Sequence, residues 1–177
     1  MKSSIEFNKH FNLKGSCGLT LIEVLIVVAL IAMLAVTAAP LTGSWIAESQ
    51  ITDAESTLTE AVGRAKSAAM RNKPAVEGAG AVAIVCISSN KVEVKERKPG
   101  VGALACVAND SDSVELWSSS MPSQITLSYN PEGTLAVACM CFDRRGLPTT
   151  SNCSGCSVGS HIYFSRGTLA RHDSYVQ

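Results

Sequence analysis

The stretch Gly18-Leu19-Thr20-Leu21-Ile22-Glu23-Val24, continued by the uncharged run LIVVALIAMLAVTAAPL that ends at Leu41, decides the fold of this 177-residue chain. Twelve of the residues from 19 to 36 are Leu, Ile or Val, and Glu23 carries the single charge among them. At about 1.5 Å per residue, a helix over residues 19–39 would be about 32 Å long, which matches the hydrocarbon core of a bilayer. The sequence therefore predicts a transmembrane helix over residues 19–41.

The 18 residues before this run contain three lysines and one glutamate, so the segment is basic. A basic flank keeps the N-terminus in the cytoplasm and sends the remainder of the chain across the membrane. Glu23 would cost about 2.5 to 3.5 kcal/mol at the bilayer centre, whereas each Leu, Ile or Val returns about 0.3 to 0.6 kcal/mol. Insertion is therefore favoured despite the carboxylate, and a carboxylate at this place calls for a function.

Two common kinds of N-terminal segment could explain the basic start and the apolar run: a secretory signal peptide and a plain membrane anchor. A secretory signal peptide would have a basic start, an apolar centre and small residues before its cleavage site, and Thr37, Ala38 and Ala39 loosely provide the last of these. A plain membrane anchor would need only the apolar run. Neither explanation accounts for Glu23 at the head of that run.

The segment from Gly18 to Val24 resembles the recognition sequence of prepilin peptidase, and the chain is thereby similar to type IV pilins and pseudopilins. The resemblance implies cleavage of the leader, residues 1–18, after Gly18 and N-methylation of the new N-terminus at Leu19, where the family usually has Phe. It also implies that Glu23 acts in assembly, where its carboxylate would neutralise the buried N-terminal ammonium of a neighbouring subunit. Pro40 lies where pilin helices bend or locally melt, although it could instead simply end the anchor.

Residues 42–73 continue the pattern as an amphipathic helix. Apolar residues recur there at steps of three and four, which is the spacing of one helix face. The stripe consists of Ile51, Ala54, Leu58, Ala61, Ala65 and Ala69. A stop is predicted near Asn72-Lys73-Pro74, because proline cannot continue a helix.

Residues 74–177 read as a globular, β-rich domain. Short apolar runs are separated there by Gly, Asn, Ser and Pro, as in antiparallel sheets. The predicted strands are residues 81–87, 91–95, 114–117, 125–129, 135–142 and 161–164, with long surface loops at 96–113 and 143–160. The predicted fold class is α+β and type IV pilin-like, a long N-terminal helix packed on an antiparallel sheet domain with disulfides.

Six of the seven cysteines follow the leader, and Cys17 lies within it. An even number in an exported domain favours disulfides over free thiols, and we expect Cys86 to pair with Cys106. Cys139 and Cys141 lie on one face of a strand, so each should bond Cys153 or Cys156, in an order that the sequence leaves open. The alternative is a zinc site, because these last four cysteines have a spacing that zinc could use. The oxidising compartment favours disulfides, and we expect no metal and no cofactor.

After the helix the chain resembles FimT/FimU-like minor pilins and the GspH-type pseudopilins of type II secretion. The features that carry this resemblance are Ala61, residues 64–69 and Arg71 at the helix end, Cys86-x-Ser88, Cys106, Trp117 and Phe142-Asp143-x-Arg145-Gly146. The Gly and Phe-x-Asp run that usually follows the Trp is not recognisable. The resemblance implies a minor pilin, or alternatively a secretion pseudopilin, with other pilins, the assembly machinery, prepilin peptidase and the inner membrane as partners.

No catalytic role is expected, since no Ser/His/Asp arrangement can be recognised in the sequence. The expected location is the bacterial inner membrane, with the globular domain in the periplasm and later in a filament at the cell surface. A third alternative is DNA binding for uptake, which some FimT-like members perform. Its candidate contacts are Arg144, Arg145, Arg166 and Arg171, but Asp143 and Asp173 lie among them and a solvated charged surface is the favoured interpretation.

Overall fold

The computed structural model describes residues 18–88, 90–107, 110–159, 161–167 and 169–175, with the side chains of residues 37–42 and 169–175 left out. The chain divides into two units, Met1–Leu41 and Thr42–Gln177. The second unit holds the sheets, the disulfides and the hydrophobic core.

Helix α1 runs from Leu21 to Arg71. It ends at the residue before the predicted stop, where Asn72 adopts a positive φ of 41°. The Asn72 side chain then holds the exit of the helix in two ways: its amide donates to the Val76 carbonyl at 3.0 Å, and its oxygen accepts from the Val76 N–H at 2.9 Å. This arrangement satisfies backbone groups that the helix end leaves without partners.

In the described part of the chain, nine strands follow α1, and most of them form antiparallel pairs. Their bounds are β1 Ala81–Ile87, β2 Lys91–Arg97, β3 Leu104–Ala105, β4 Ser113–Ser120, β5 Thr126–Ser128, β6 Cys139–Asp143, β7 Cys153–Ser154, β8 His161–Arg166 and β9 Leu169–Tyr175. The main sheet has the order β4-β2-β1-β6, a second has the order β5-β8-β9, and β3 pairs with β7 in parallel. The predicted α+β class, a helix followed by an antiparallel sheet with disulfides, is confirmed.

One face of the main sheet packs against the apolar stripe of α1. Every residue of the predicted stripe is at most 3% exposed. The stripe shares its core with Val82, Val85 and Phe142 of the sheet, and with Phe164 of β8. Because most stripe residues are alanines, the backbone of α1 can approach the sheet closely, and the larger sheet residues fill the space between them.

The opposite face of the main sheet is covered by a small cysteine-rich layer instead of a helix. Side chains alternate along a strand, so Ile84 on β1 and Cys139 and Cys141 on β6 point away from α1. They form a second buried cluster with Leu104 of β3, and Cys153 and Cys156 pack against it. Strands β1 and β6 are thus buried on both faces, whereas most of β4 at the sheet edge is exposed.

The predicted strands differ from the observed ones at three places. The run 135–142 was predicted as one strand, but β6 begins at Cys139, and Ala136 instead forms an isolated bridge with Ser128. The loops 96–113 and 143–160 contain β3 and β7, whose pairing buries Leu104. Strand β9 lies in a polar tail that has no alternating apolar pattern, and it forms by pairing with β8.

Candidate functional site

The first turn of α1 is closed by reciprocal contacts between Thr20 and Glu23. The Glu23 N–H donates to the Thr20 hydroxyl at 3.3 Å, and the Glu23 carboxylate accepts from the Thr20 hydroxyl at 3.4 Å and the Thr20 N–H at 3.5 Å. This is a capping box, in which an N-cap Thr and a Glu three residues later satisfy each other's free groups. The carboxylate also lies at the positive end of the helix dipole.

The capping box gives Glu23 a local role that the sequence interpretation missed. The signal was present, because Thr-x-x-Glu before an apolar run is typical of a helix start. Glu23 therefore has two candidate uses: it caps its own helix, and it offers a negative charge to a neighbouring molecule. Any experiment on Glu23 has to separate them.

Gly18 and Leu19 precede the helix and are exposed. A Cβ added at Gly18 would meet no atom within 4 Å, and the φ of Gly18 is not in the left-handed region. Among the described residues, nothing in the fold therefore requires glycine at position 18. A requirement for glycine there would have to come from a molecule that binds this segment.

The start of α1 carries a dense apolar surface. Every Leu, Ile, Val and Met from Leu19 to Val36 has at least 48% of its surface exposed in the single chain. These side chains cover all sides of the helix, which is typical of a helix that is surrounded by lipid or by other helices. Among the described residues, no helical stretch is both long and apolar enough to cross a membrane. The transmembrane segment at 19–41 thus stays a prediction.

Helix α1 continues through Pro40. The helix therefore does not end at Pro40, and both interpretations of Pro40, a bend in the helix or the end of the anchor, stay predictions. The division between the two units of the chain falls directly after it, at Leu41 and Thr42.

All six cysteines of the second unit form disulfides. The pairs are Cys86–Cys106, Cys139–Cys156 and Cys141–Cys153. The order left open by the sequence is thus nested, with the inner bond Cys141–Cys153 enclosed by the outer one. The sulfurs of Cys141, Cys153 and Cys156 lie within 4.8 Å of one another, but each belongs to a disulfide and is not a thiolate ligand in this state.

Three of the four candidate DNA-contacting arginines have described side chains. Arg145 forms a fork with the Asp143 carboxylate at 2.8 and 3.0 Å, and Arg166 forms one with the Gln124 side-chain oxygen at 2.7 and 3.0 Å. Arg144 is exposed, and the side chain of Arg171 lies outside the described residues. Two of the guanidinium groups are therefore held by groups of their own chain.

Arg64 and Trp117, which are among the residues that carry the resemblance to minor pilins, come together on the surface. The Arg64 guanidinium of α1 lies 5.2 Å from the centre of the Trp117 ring on β4, within cation–π distance. Glu60, one turn earlier, receives hydrogen bonds from the same guanidinium at 2.6 and 3.0 Å. This set ties the exposed side of α1 to the edge of the main sheet.

Residues 13–39 match the family model described as the prokaryotic N-terminal methylation motif. The match spans the predicted cleavage site, the capping box and most of the exposed apolar surface. No curated protein and no solved structure matches the chain.

Proposed function

Since the chain carries the N-terminal segment of a type IV pilin-like prepilin, we propose that it is a minor pilin, cut after Gly18, N-methylated at Leu19 and assembled into a type IV pilus. The observation that carries this proposal is the exposed apolar surface of residues 19–36, which lies within the methylation motif at residues 13–39. Such a surface is unstable in water and needs lipid before assembly and neighbouring helices after it. The subunit would help to prime the filament or form its tip.

The proposed path of the chain follows from the same segment. Before cleavage the protein sits in the inner membrane with its basic leader in the cytoplasm and its second unit in the periplasm. Prepilin peptidase binds the exposed, non-helical segment at Gly18 and Leu19, and the mature subunit joins other pilins through the apolar part of α1. Pilin-like proteins are in general structural, and the role proposed here requires no catalysis.

Glu23 has its functional role at the step of assembly. Cleavage creates a positive N-terminus at Leu19, which would be costly to bury among apolar helices without a counter-charge. The Glu23 carboxylate of a neighbour supplies this charge only when the two helices have the correct axial offset. A wrong offset leaves two unpaired charges and costs several kcal/mol.

Three substitutions separate capping from charge pairing. Glu23→Gln keeps a side chain that can serve in a capping box but removes the charge, whereas Thr20→Ala removes the cap but keeps the charge. Glu23→Ala removes both. We expect Glu23→Gln and Glu23→Ala to be cleaved normally and to be lost from sheared pili, as measured by immunoblot, and Thr20→Ala to be incorporated.

The opposite pattern would contradict the charge-pairing role. If Glu23→Gln is incorporated as well as the unchanged chain while Thr20→Ala is not, Glu23 acts only as a cap. Cleavage is followed in the same samples by mass spectrometry of the N-terminus, which separates a defect in processing from a defect in assembly.

Processing itself is tested at Gly18. Gly18→Leu meets no steric obstacle in the folded chain, so we expect a folded but uncut precursor. Gly18→Ala is the matched control with a smaller side chain. A mature N-terminus near Ala39 or Pro40 would instead show that the segment is an ordinary signal peptide.

The type II secretion pseudopilin remains the alternative assembly. Deleting the gene should reduce surface pili and leave protein secretion intact. Loss of secretion with normal pili would assign the chain to the secretion system.

A further inference from the structure

We propose that Cys139, Cys141, Cys153 and Cys156 form a four-thiolate zinc site when their two disulfides are absent, as in the newly made or reduced chain. This inference does not depend on the proposed function. It assigns a second chemical state to the cysteine-rich layer on the sheet face that α1 leaves free.

Three of the four sulfur atoms are already close enough for one metal ion, and the fourth, that of Cys139, lies outside this group and would have to move toward it. Those of Cys141, Cys153 and Cys156 lie within 4.8 Å of one another, and the sulfur of Cys139 is bonded to that of Cys156. In a tetrahedral site with zinc–sulfur bonds of about 2.3 Å, the sulfurs are about 3.8 Å apart. Each bonded pair would open by somewhat less than 2 Å, and the other distances among these three sulfurs would shrink by at most about 1 Å.

The segment that carries Cys153 and Cys156 is held in place by backbone hydrogen bonds as well as by disulfides. The Ala81 N–H donates to the Ser151 carbonyl, and the Leu104 N–H donates to the Asn152 carbonyl, both at 2.9 Å. The Thr149 N–H donates to the Cys141 carbonyl at 2.9 Å, and the Thr149 hydroxyl donates to the Ala79 carbonyl at 2.9 Å. These bonds tie the part of the segment before Cys153 to β1, β3 and β6 without using the disulfides, and the proposal requires that they keep the four thiols together when the disulfides open.

The backbone around the cysteines suits a metal site. Cys139 and Cys141 are two residues apart on β6 and therefore point to the same side of the sheet. Cys153 and Cys156 flank a turn in which Gly155 has a φ of 74°, a conformation that favours glycine. A Cys-x-Cys strand facing a Cys-x-x-Cys turn presents two pairs of ligands to one point, and four thiolates in tetrahedral array select zinc over magnesium or calcium.

The reduction of the disulfides and the binding of zinc need no reactant from the protein other than the four cysteines. A newly made chain already has four thiols. In the oxidised chain each disulfide is reduced by a phosphine and water, which yields two thiols and one phosphine oxide. Binding of Zn²⁺ then releases four protons from the thiols and leaves a site with a net charge of −2.

The test uses the full chain in detergent with Cys17→Ser, so that the leader contributes no thiol. After reduction by a phosphine and its removal under argon, we expect one Zn²⁺ per chain. We also expect the visible absorption of tetrahedral thiolate-bound Co²⁺ when cobalt replaces zinc. The oxidised chain should bind neither. Failure of the reduced chain to bind zinc would overturn the proposal.

Matched variants locate the site. The double variant Cys86→Ser, Cys106→Ser removes the third disulfide and should bind zinc as the parent does, whereas Cys153→Ser should lose at least about 100-fold in affinity. Zinc should protect four thiols from alkylation and leave Cys86 and Cys106 reactive, as mapped by mass spectrometry. Equal binding by Cys153→Ser, or protection of Cys86 and Cys106, would refute the assignment.

A fold measurement covers the case in which reduction loosens the domain. Zinc at 100 times its Kd should raise the Tm of the reduced chain by about 5 to 10 °C and restore its near-UV circular dichroism. Zinc that binds while the near-UV spectrum stays that of an unfolded chain would show a flexible chelate, and the proposal would be wrong.

Discussion

Asp143 is the charged residue on which the turn after β6 depends. It is 1% exposed, and its carboxylate accepts the N–H groups of Arg145 and Leu147 at 2.9 and 3.1 Å as well as the Arg145 guanidinium. Burial alone would raise the pKa of Asp143, but the hydrogen bonds from the side chain and backbone of Arg145 and from the backbone of Leu147 outweigh burial and hold it below the usual range. The folded chain thus strongly favours the ionised form.

Replacing Asp143 should lower the free energy of unfolding and remove one contribution to its pH dependence. Asp143→Asn loses an acceptor for buried donors and should lower the free energy of unfolding by about 1 to 3 kcal/mol at pH 7, as measured by urea denaturation. Because the folded pKa lies below the unfolded one, this contribution is complete above about pH 4 and disappears as the pH falls through the folded pKa. The difference between the two proteins should therefore shrink below pH 4, and a constant difference would contradict the ionic role.

Arg145→Ala is the milder control at the same turn. It removes the guanidinium fork, which is 63% exposed, but leaves the backbone donors to Asp143 intact. We expect it to cost clearly less than Asp143→Asn, since exposed ion pairs contribute about 0 to 1 kcal/mol. An equal cost would mean that the side-chain pair, and not the turn, holds this segment.

At the scale of elements, α1 offers two substitutions, two residues apart, whose effects on stability should have opposite signs. Gly63 is exposed and a Cβ there meets no atom within 4 Å, whereas Ala65 is fully buried against the sheet. Gly63→Ala should stabilise the chain by about 0.5 to 1 kcal/mol because helical glycine loses more entropy on folding. Ala65→Leu should destabilise it by about 1 to 3 kcal/mol through overpacking, and thermal denaturation of both variants checks the sign. A stabilised Ala65→Leu would show that the interface between helix and sheet is loosely packed.

The same helix shows what the sequence could predict and why. The stripe from Ile51 to Ala69 and the strands β1 and β2 were predictable because each is marked by a local pattern along the chain. The stripe has the helical spacing, β2 alternates in part, and β1 is a short, continuous apolar run. Strands β3 and β7 were not, since two residues carry no period and their pairing depends on contacts between distant segments. The order of the two disulfides stayed open at the sequence level for the same reason: four cysteines on neighbouring elements allow two orders, and the fold around Cys141 selects one of them.

The candidate site was predictable in its residues but only partly in their roles. Gly18, Leu19 and Glu23 follow from a short pattern, and the methylation motif covers them. The capping box follows from an equally local pattern, Thr-x-x-Glu. Its role was missed because Glu23 lies at the head of an apolar run, where charge pairing between molecules explains a carboxylate without reference to Thr20. The contact between Arg64 and Trp117 could not be read from the sequence, because it joins residues that are far apart in the chain.

At the scale of the whole molecule, the two units differ in what they bury. The second unit, Thr42–Gln177, has two buried clusters and three disulfides, while the described apolar residues up to Val36 lie exposed. A fragment that begins at Thr42 should therefore be a soluble monomer with a cooperative unfolding transition. The full chain should need detergent, because exposed apolar patches of this extent drive association.

Size-exclusion chromatography with light scattering measures the oligomeric state of the fragment and of the full chain. A matched variant then tests whether the apolar start of α1 causes the association. Replacing Leu25, Val28 and Leu34 together by Gln in the full chain should lower association in water, since it removes apolar surface without touching the core of the second unit. The same number of Gln substitutions at the exposed positions Glu48, Asp53 and Lys73 should leave association unchanged. If the full chain is monomeric without detergent, or the fragment from Thr42 associates as strongly, then the apolar start of α1 does not drive assembly and the filament role loses its physical basis.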